Sequence, residues 1–417
     1  MSSPIDVDVR RITPDELIPW LEAMATTFLS RPDIDRVAEH NAPYYDFERT
    51  WAAFDHGHAR GPVGTLRSWA TELTVPGDAL VPAAAVAAVT VLPSHRRRGI
   101  LRRMIAAEHE AARERGEAVA ILYASEASIY GRFGYGVGVI ECDLALDTRS
   151  TGFVATAAAG GVSIAPNDEL TATVIRDLHD RYRRTQVGEI RRRDHAFAMA
   201  MGLTENGWEP PWKGWVAMHR DAGGDADGYV RYGAELRWDR GQPQSIVSVR
   251  DLVALGDEAY EALWRWVAEL DLVATVNAER RSPFERLPWL LSNRRSLVLE
   301  GVGDGLWVCL LDVPVALAAR AYQRTADLVI EVVETAPGTG RTRIRLEASP
   351  DGVACATTSK APDLTVHLDA LGAAYLGGTP LGEAARGQGF EEHRPGSLAE
   401  ADALLRTLDQ PRCGTFF

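Results

Sequence analysis

Residues 89–103, VTVLPSHRRRGILRR, decide the fold of the region that surrounds them. They join a β-rich run over Ala83–Val91 to a helical pattern that starts at Ile100 and ends near Gly116. A helix that begins just after a strand has unpaired N–H groups and the positive end of its dipole at that point, which attract a pyrophosphate. Arg96–Arg98 add positive charge, and Gly99 lets phosphates approach the backbone. The stretch predicts a phosphate site, with a solvated basic helix start as the alternative.

A second informative stretch follows the next apolar run. Ala118–Tyr123 has the composition of a buried strand, and residues 124–136 read ASEASIYGRFGYG. Here a tyrosine, Tyr130, lies four residues before a glycine–aromatic pair in a segment rich in turn-forming glycines.

The two stretches resemble the two signatures of the GNAT N-acetyltransferases. The first reads Arg96-x-x-Gly99-x-Leu101, where leucine departs from the general pattern but matches the Eis-type (enhanced intracellular survival) branch. The second is similar to the Ala-Ser-Glu-x-x-Ile-Tyr-Gly-Arg-Phe-Gly-Tyr-Gly string of that branch. The resemblance implies acetyl-CoA as cosubstrate and no metal. Its expected binding residues are Val89, Thr90 and Val91 through the main chain, then Arg97, Arg98, Gly99, Ile100, Leu101, Arg102, Ser125 and Glu126.

Acetyl transfer to an amine needs a base for the amine, stabilisation of the thioester oxygen and an acid for the leaving thiolate. A phenol with a pKa of ~10 stays protonated at neutral pH and suits the last task. We expect Tyr130 to be this acid, with Tyr123 and Tyr135 as competitors that are better explained by packing. A backbone N–H near Val89 is the expected donor to the thioester oxygen.

The chain ends QPRCGTFF, and two phenylalanines are unusual for a frayed terminus. We expect this end to be inserted in an apolar site. The resemblance implies that the α-carboxylate of Phe417 reaches the first domain and accepts the proton of the attacking ammonium. The alternative, a terminus packed only for stability, stays open.

Length and periodicity predict a mixed α/β chain of about three domains. The resemblance implies two tandem GNAT domains, catalytic at 1–150 and degenerate at 151–300, and then a sterol-carrier-like domain at 301–417. Thr151–Gly161 is Gly/Ala-rich and is expected to be a linker. In the last domain, Ser397 and Glu400 have the spacing of a capping box.

Composition limits the partners. A net charge of −13 argues against nucleic-acid binding and suits cationic amines, so Arg191–Arg193 are interpreted as a solvated face. The four cysteines lie far apart, as expected for reduced thiols in the cytoplasm. No apolar run is long enough to cross a membrane, and Met1–Arg10 does not resemble a signal peptide. Residues 55–58, DHGH, predict a turn rather than a metal site.

We therefore expect an Eis-type N-acetyltransferase that acts on primary amines of a cationic small molecule by direct transfer in a ternary complex. The resemblance implies aminoglycosides as typical acceptors, often acetylated at several amines, and a homohexamer. It also implies that the region around Ser30–Tyr45 lines the acceptor pocket. Trp208, Trp212 and Trp215 are packing residues or an aromatic wall of that pocket. Two alternatives remain: acetylation of protein lysines, and a non-catalytic carrier or scaffold.

Overall fold

The structure is a computed structural model that describes residues 7–58, 61–154, 160–334 and 340–417. Of the linker expected at Thr151–Gly161, residues 155–159 lie outside the described residues, as do residues 1–6 of the segment compared with a signal peptide. Within the described ranges, no helix is both long and apolar enough to cross a lipid bilayer.

The helices and strands of the first third alternate around the predicted strand–turn–helix unit. They are β1 (Val7–Arg11), α1 (Leu17–Thr27), α2 (Ile34–Asn41), β2 (Thr50–Asp55), β3 (Gly64–Val75), β4 (Ala79–Val91), α3 (Ile100–Glu114), β5 (Val119–Tyr123), α4 (Ala127–Tyr130) and β6 (Gly136–Val137). The helix α3 buries the apolar face that its spacing predicts, including Ile100, Met104 and Ile105.

The middle third repeats this alternation. Its elements are β7 (Ile140–Asp147), β8 (Gly161–Ala165), α5 (Glu169–Arg183), α6 (Asp194–Ala200), β9 (Trp215–Arg220), β10 (Ala226–Glu235), β11 (Trp238–Asp239), β12 (Gln242–Pro243), β13 (Ser245–Ala254), α7 (Asp257–Ala268), β14 (Val273–Arg281), α8 (Leu287–Leu290) and β15 (Leu297–Asp304).

The last third contributes one strand to the first sheet and builds a sheet of its own. Its elements are β16 (Leu306–Leu310), α9 (Val313–Ala318), β17 (Ala326–Val333), β18 (Arg341–Ser349), β19 (Gly352–Thr357), β20 (Leu364–His367), α10 (Leu368–Ala374), α11 (Leu381–Gln388), β21 (Phe390–Glu392) and α12 (Ser397–Leu405).

Three larger sheets organise these strands. The first has the order β1-β2-β3-β4-β5-β16-β6, the second β15-β7-β14-β13-β10-β9-β8 and the third β19-β18-β17-β20-β21. Each combines antiparallel pairs with one parallel pair: β4 with β5, β13 with β14, and β17 with β20. The first two sheets therefore share one plan, and the mixed α/β class is confirmed.

Strands cross the expected domain limits in both directions. The strand β7 precedes residue 150 but pairs with β14 and β15 in the second sheet. The strand β16 follows residue 300 but lies between β5 and β6 in the first sheet. All residues of β16 are buried. A strand in the middle of a sheet that is covered on both faces is expected to be apolar at every position, as this one is. The limits at 150 and 300 stay predictions.

The third sheet and the first share a continuous hydrophobic core. The helix α10 lies directly against β6 and β16, backbone to backbone. A Cβ added to Gly136 would lie 1.9 Å from the carbonyl oxygen of Asp369, and one added to Gly372 would lie 2.3 Å from that of Val308. Glycine at both positions permits this close approach.

The capping box expected at Ser397 does not form. The residue before α12 is Gly396, which has a left-handed φ of 87°. Ser397 is fully buried and its hydroxyl donates to the carbonyl of Asp363 at 2.8 Å, while Glu400 pairs with Arg394. A buried hydroxyl needs a partner in the core, and this requirement outweighs the capping pattern.

Candidate active site

A gap between two parallel strands is the central feature of the first sheet. The strands β4 and β5 pair only where Ala83–Ala85 face Val119–Ile121, and they separate beyond that point. On the other edge of β4, one residue between Thr65 and Arg67 of β3 faces two residues of β4, with Ala88 at a φ of 53°. Such a β-bulge re-aims the backbone. Beyond Ala85, no described strand pairs with β4 on the β5 side.

The turn between β4 and α3 has the geometry that the sequence predicts. Arg97 has a φ of 63° and Gly99 a φ of 76°, and the helix begins at Ile100. A Cβ at Gly99 would meet nothing within 4 Å, so the left-handed φ, rather than a lack of space within the protein, is what favours glycine. Arg97 and Arg98 are exposed.

Residues 55–58 form the predicted turn, and Asp55 also contacts the segment between β4 and α3. The carboxylate of Asp55 lies 3.2 Å from the ring of buried His95 and 3.9 Å from Arg98. It also accepts from the N–H of Gly57 at 2.9 Å. Among the described residues, no group of three His, Cys, Asp or Glu side chains is arranged to hold a metal ion. All four cysteines are unpaired thiols.

The three candidate tyrosines differ in what their hydroxyls contact. Tyr135 is bonded to His109 at 2.9 Å, and Tyr123 donates to the carbonyl of Thr415 at 3.1 Å. The hydroxyl of Tyr130 makes no hydrogen bond with any described residue, and Tyr130 lines the main cavity. Burial raises the pKa of Tyr123 and Tyr135 well above the usual value, whereas burial and then Glu126 raise the pKa of Tyr130 to about 12. Tyr130 is the most acidic of the three and the only one of them with a free hydroxyl.

The C-terminal segment enters the same cavity. The N–H of Gly414 donates to buried Glu189 at 2.7 Å, and the Thr415 hydroxyl also donates to that carboxylate. Arg192 donates to the Thr415 hydroxyl at 2.8 Å. The ring of Phe417 lies 5.0 Å from that of Trp69, edge to face. The insertion expected for this end is therefore present for Phe417, whereas Phe416 is 62% exposed.

A cavity of about 790 Å³ lies where these parts meet. Val89, Ser125, Tyr130 and Phe417 line it. The stretch around Ser30–Tyr45 contributes Ser30, Asn41, Tyr44 and Tyr45. Of the three tryptophans in the second domain, Trp208 lines the cavity, whereas Trp212 packs under Arg231 and Trp215 is half-exposed beside Tyr232.

The lining of this cavity is strongly basic. Its ionisable side chains include one carboxylate, Asp251, which pairs with Arg192, and the following arginines: Arg67, Arg191, Arg192, Arg193, Arg231, Arg250 and Arg280. The interpretation of Arg191–Arg193 as a solvated face is wrong for two of its members. The side chain of Arg192 is only 11% exposed, and burial followed by Arg67 lowers the pKa of Arg193 to about 10. Arg192 is held in the cavity wall by hydrogen bonds that it donates to Asp251 and to the Thr415 hydroxyl.

Comparisons with known proteins agree with this architecture. Residues 8–138 and 188–307 each match a family described as "Acetyltransferase (GNAT) domain", and residues 313–414 match "Sterol carrier protein domain". A Streptomyces avermitilis protein described as an "Uncharacterized N-acetyltransferase" is 36% identical over the full length of both chains. The "N-acetyltransferase Eis" of Mycobacterium tuberculosis is 32% identical over 81% of this chain and 77% of its own length.

The crystal structure of Eis1 from Mycobacterium abscessus superposes with a TM-score of 0.83 at 31% identity, covering 99% of this chain and 100% of that one. The chain belongs to the Eis-type GNAT N-acetyltransferases. It is thus an acetyltransferase of a family with two GNAT domains and a C-terminal sterol-carrier-like domain.

Within this Eis-type framework, the residues singled out from the sequence fall into two groups. Val89, Ser125, Tyr130 and Phe417 lie around one cavity, while Arg97, Arg98, Gly99 and Arg102 lie at the exposed start of α3. Ile100 is buried and anchors that helix, Leu101 is half-buried, and Glu126 lies 3.8 Å from Arg96. The side chain of Thr90 is bonded to Thr65 at 2.6 Å, so its main chain is what faces the gap.

Three residues that matter to the cavity were not found from the sequence: Glu189, Arg67 and Trp69. Glu189 lies in an ordinary polar stretch, and its partners Gly414 and Thr415 are more than 220 residues away in the chain. No local spacing signals such a contact. The alternation of β3 predicts which of its residues share a face, but not which cavity that face meets.

Proposed function

We propose that this Eis-type chain transfers the acetyl group of acetyl-CoA directly to a primary amine, with both substrates bound at once. The observation that carries the proposal is the convergence of the bulged strand β4, the free hydroxyl of Tyr130 and the C-terminal residue Phe417 on one cavity. Each part supplies one requirement of amide formation: β4 offers a backbone N–H to the thioester oxygen, Tyr130 is the acid and the carboxylate of Phe417 is the base.

The residues present fit acetyl-CoA as cosubstrate. The unpaired edge of β4 over Val86–Val91 suits an extended amide-containing arm, which adds to a sheet edge as a strand does. The α3 N-terminus, with Gly99 in a left-handed conformation and the exposed Arg97 and Arg98, suits a diphosphate. The group bound there would supply the activated acyl carbon.

Three groups of the chain then have separate roles in the reaction. The α-carboxylate of Phe417 takes the proton of the attacking ammonium, and a backbone N–H near Val89 donates to the thioester oxygen. Tyr130 donates to the departing sulfur. Because burial and Glu126 raise the pKa of Tyr130 to about 12, its proton is transferred only as full charge develops on the sulfur.

Two acceptor classes follow from the resemblance: aminoglycosides, with more than one amine modified, and the lysines of proteins. Their support is the overall negative charge of the chain. The lining of the cavity, however, is positively charged, so the negative charge of the whole chain does not hold at the site. This difference is used below to infer the class of acceptor. A non-catalytic carrier is the alternative of another class, and the intact turn before α3 weighs against it.

A C-terminal extension tests the proposal. Adding one glycine after Phe417 displaces the carboxylate, so thiol release from acetyl-CoA with an amine panel should fall by about 100-fold or more. Phe417→Tyr retains the ring and the carboxylate and serves as the matched control. Unchanged turnover in the extended chain would remove the carboxylate as base. A melting curve unmoved by acetyl-CoA would favour the carrier.

The proposal includes two further expectations. Unpaired thiols suit a cytoplasmic location, which fractionation of producing cells would check. The homohexamer implied by the resemblance predicts a particle six times the mass of the 45.5 kDa chain in light scattering.

A further inference from the structure

Among the described residues, four arginines of the acceptor cavity have no carboxylate oxygen within 4 Å, and two of these, Arg67 and Arg193, lie against the same Trp69 ring. Arg67 projects from β3, and Arg193 directly precedes α6. Both side chains are partly buried, and within the described ranges neither has a carboxylate oxygen within 4 Å. The other cavity arginines differ: Arg192 pairs with Asp251, and Arg250 and Arg280 lie near Glu279. Arg231 donates to the carbonyl of Ala200, and Arg191 is exposed to solvent.

The surroundings of this arginine pair are aromatic. The guanidinium carbon of Arg193 lies 4.5 Å from the Trp69 ring, and that of Arg67 lies 5.5 Å from the same ring and 4.8 Å from Tyr45. The Nε atom of Arg67 is buried without a hydrogen-bond partner. Ring faces compensate a cation only in part, so two such groups side by side are unfavourable without an anion.

The two charges also act on one another and on their neighbours. Burial and then the charge of Arg67 lower the pKa of Arg193 to about 10. Burial, Arg193 and Arg67 together lower the pKa of His195 to about 4.

We propose that the amine acceptor of this enzyme carries an oxyanion, and that Arg67 and Arg193 bind it. The proposal rests on the proposed function, since it assigns part of the same cavity to the acceptor. Two planar guanidinium groups match a carboxylate or phosphate through paired N–H donors. Filling this site supplies the missing counter-charge and hydrogen-bond acceptors.

The geometry also limits the shape of the acceptor. The Trp69 ring lies 5.0 Å from the Phe417 ring and within 5.5 Å of both guanidinium carbons. A single indole ring therefore separates the C-terminal residue from the arginine pair. An acceptor whose amine and oxyanion are separated by about one aromatic ring spans the two ends, and the wall between them favours an apolar body.

Three compounds with one common body test this inference. They are 4-(aminomethyl)benzoate, its methyl ester and 1,4-bis(aminomethyl)benzene, which place an anion, a neutral group and a second cation opposite the same amine. We expect kcat/KM, measured by thiol release at saturating acetyl-CoA, to be at least about tenfold higher for the carboxylate than for either other compound. Equal or higher values for the diamine or the ester would overturn the inference.

Arginine variants locate the effect. Arg67→Met and Arg193→Met should each reduce the ratio of kcat/KM between carboxylate and ester by about tenfold. Arg193→Lys, which retains charge but not the paired donors, should give an intermediate ratio and covers the case of a methionine variant that does not fold. Arg324→Met, an exposed arginine of the last domain, is the matched control and should keep the wild-type ratio. An unchanged ratio in the folded Arg67 and Arg193 variants would overturn the assignment.

Calorimetric titration separates this inference from the proposed function. The same three compounds are titrated into the protein saturated with CoA, which cannot turn over. Tightest binding of the carboxylate with no thiol release from any amine would refute the proposed function and support the oxyanion site. Thiol release with every amine, without preference for the carboxylate in rate or binding, would support the function and refute the site.

Discussion

Replacing Glu189 with glutamine tests how the C-terminal segment is held in the cavity. Glu189 is fully buried and accepts hydrogen bonds from the Gly414 N–H and the Thr415 hydroxyl. Burial alone would raise its pKa, but the hydrogen bonds and charges of His179, Arg192 and Thr415 outweigh it and lower the pKa to about 2. Glutamine has nearly the same shape and removes only the charge and one acceptor oxygen.

The magnitude follows from that pKa. A fall from the ordinary 4.5 to about 2 corresponds to roughly 3 kcal/mol in favour of the folded state, at about 1.4 kcal/mol for each unit of pKa. Because the folded pKa is the lower one, this stability is fully present above pH 4.5 and is lost as the pH falls through 2. His179 and Arg192 account for the larger part of that shift, and the segment contributes the bond from Thr415. A hydrogen bond to a charged group contributes about 1.5–3 kcal/mol, so at pH 7 the substitution should weaken docking of the segment by about tenfold or more.

Hydrogen exchange measures this docking directly. In the peptic peptide that contains residues 410–417, the Gly414 amide should exchange about tenfold faster or more in Glu189→Gln than in the wild type. Turnover of an amine should fall while the KM for acetyl-CoA stays near its wild-type value. Glu108→Gln is the matched control, because Glu108 is also fully buried but bonds to Ser68 and Trp51 in the first domain.

Two results would refute the reasoning. Exchange at Gly414 within about threefold of the wild type would mean that the contacts of Thr415 with Arg192 and Tyr123 suffice to hold the segment. Equal acceleration in Glu108→Gln would assign the effect to general loss of stability.

Four further predictions address the turn before α3, the proposed acid and the second sheet. Tyr130→Phe should lower kcat at least about tenfold with little change in the KM for acetyl-CoA; steady-state kinetics with unchanged kcat would exclude it as the acid. Gly99→Ala, at a φ of 76°, should cost about 1 kcal/mol of stability and raise that KM several-fold, and a normal melting temperature would contradict the strain argument. Arg97→Ala should weaken CoA binding, and the loss should shrink at high salt in titrations at two ionic strengths. Burial and nearby acids raise the pKa of Glu141 to about 7. The folded state is therefore favoured most below the ordinary pKa of 4.5, and this contribution is lost as the pH rises through 7. Glu141→Gln should reduce the fall in melting temperature between pH 5 and 8, and a fall as large as that of the wild type would contradict this prediction.

The helices and strands could be predicted from the sequence because the spacing of apolar residues and the glycines and prolines that end each element are local features. The strand at Ala118–Tyr123, the helix that begins at Ile100 and the turn at Gly99 all appear in the structure. The sheet to which a strand belongs is not local information. The run Leu306–Leu310 predicts a buried strand, but its partner β5 lies more than 180 residues earlier in the chain. A capping pattern at Ser397 likewise says nothing of the carbonyl that its hydroxyl meets in the core.

The residues of the candidate site could be predicted where they lie together in one short motif of the sequence. Tyr130 and the Arg97–Gly99 turn are such cases. The charge of the cavity was not predictable, because the overall charge of −13 is an average over the whole surface. The arginines that reach the cavity come from β3, from the end of the α5–α6 connection and from strands of the second sheet. Folding brings them together, and their sum differs in sign from that of the chain.

The insertion of β16 between β5 and β6 has a consequence during protein synthesis. The ribosome makes β5 early, but that strand keeps one open edge until some 180 further residues have emerged, which takes about 10–40 s at 5–20 residues per second. For that interval the nascent chain exposes a buried-type edge next to Leu122 and Ile121, a surface on which chaperones act and aggregates begin. A gene fragment that stops at the first matched region would leave this edge open permanently.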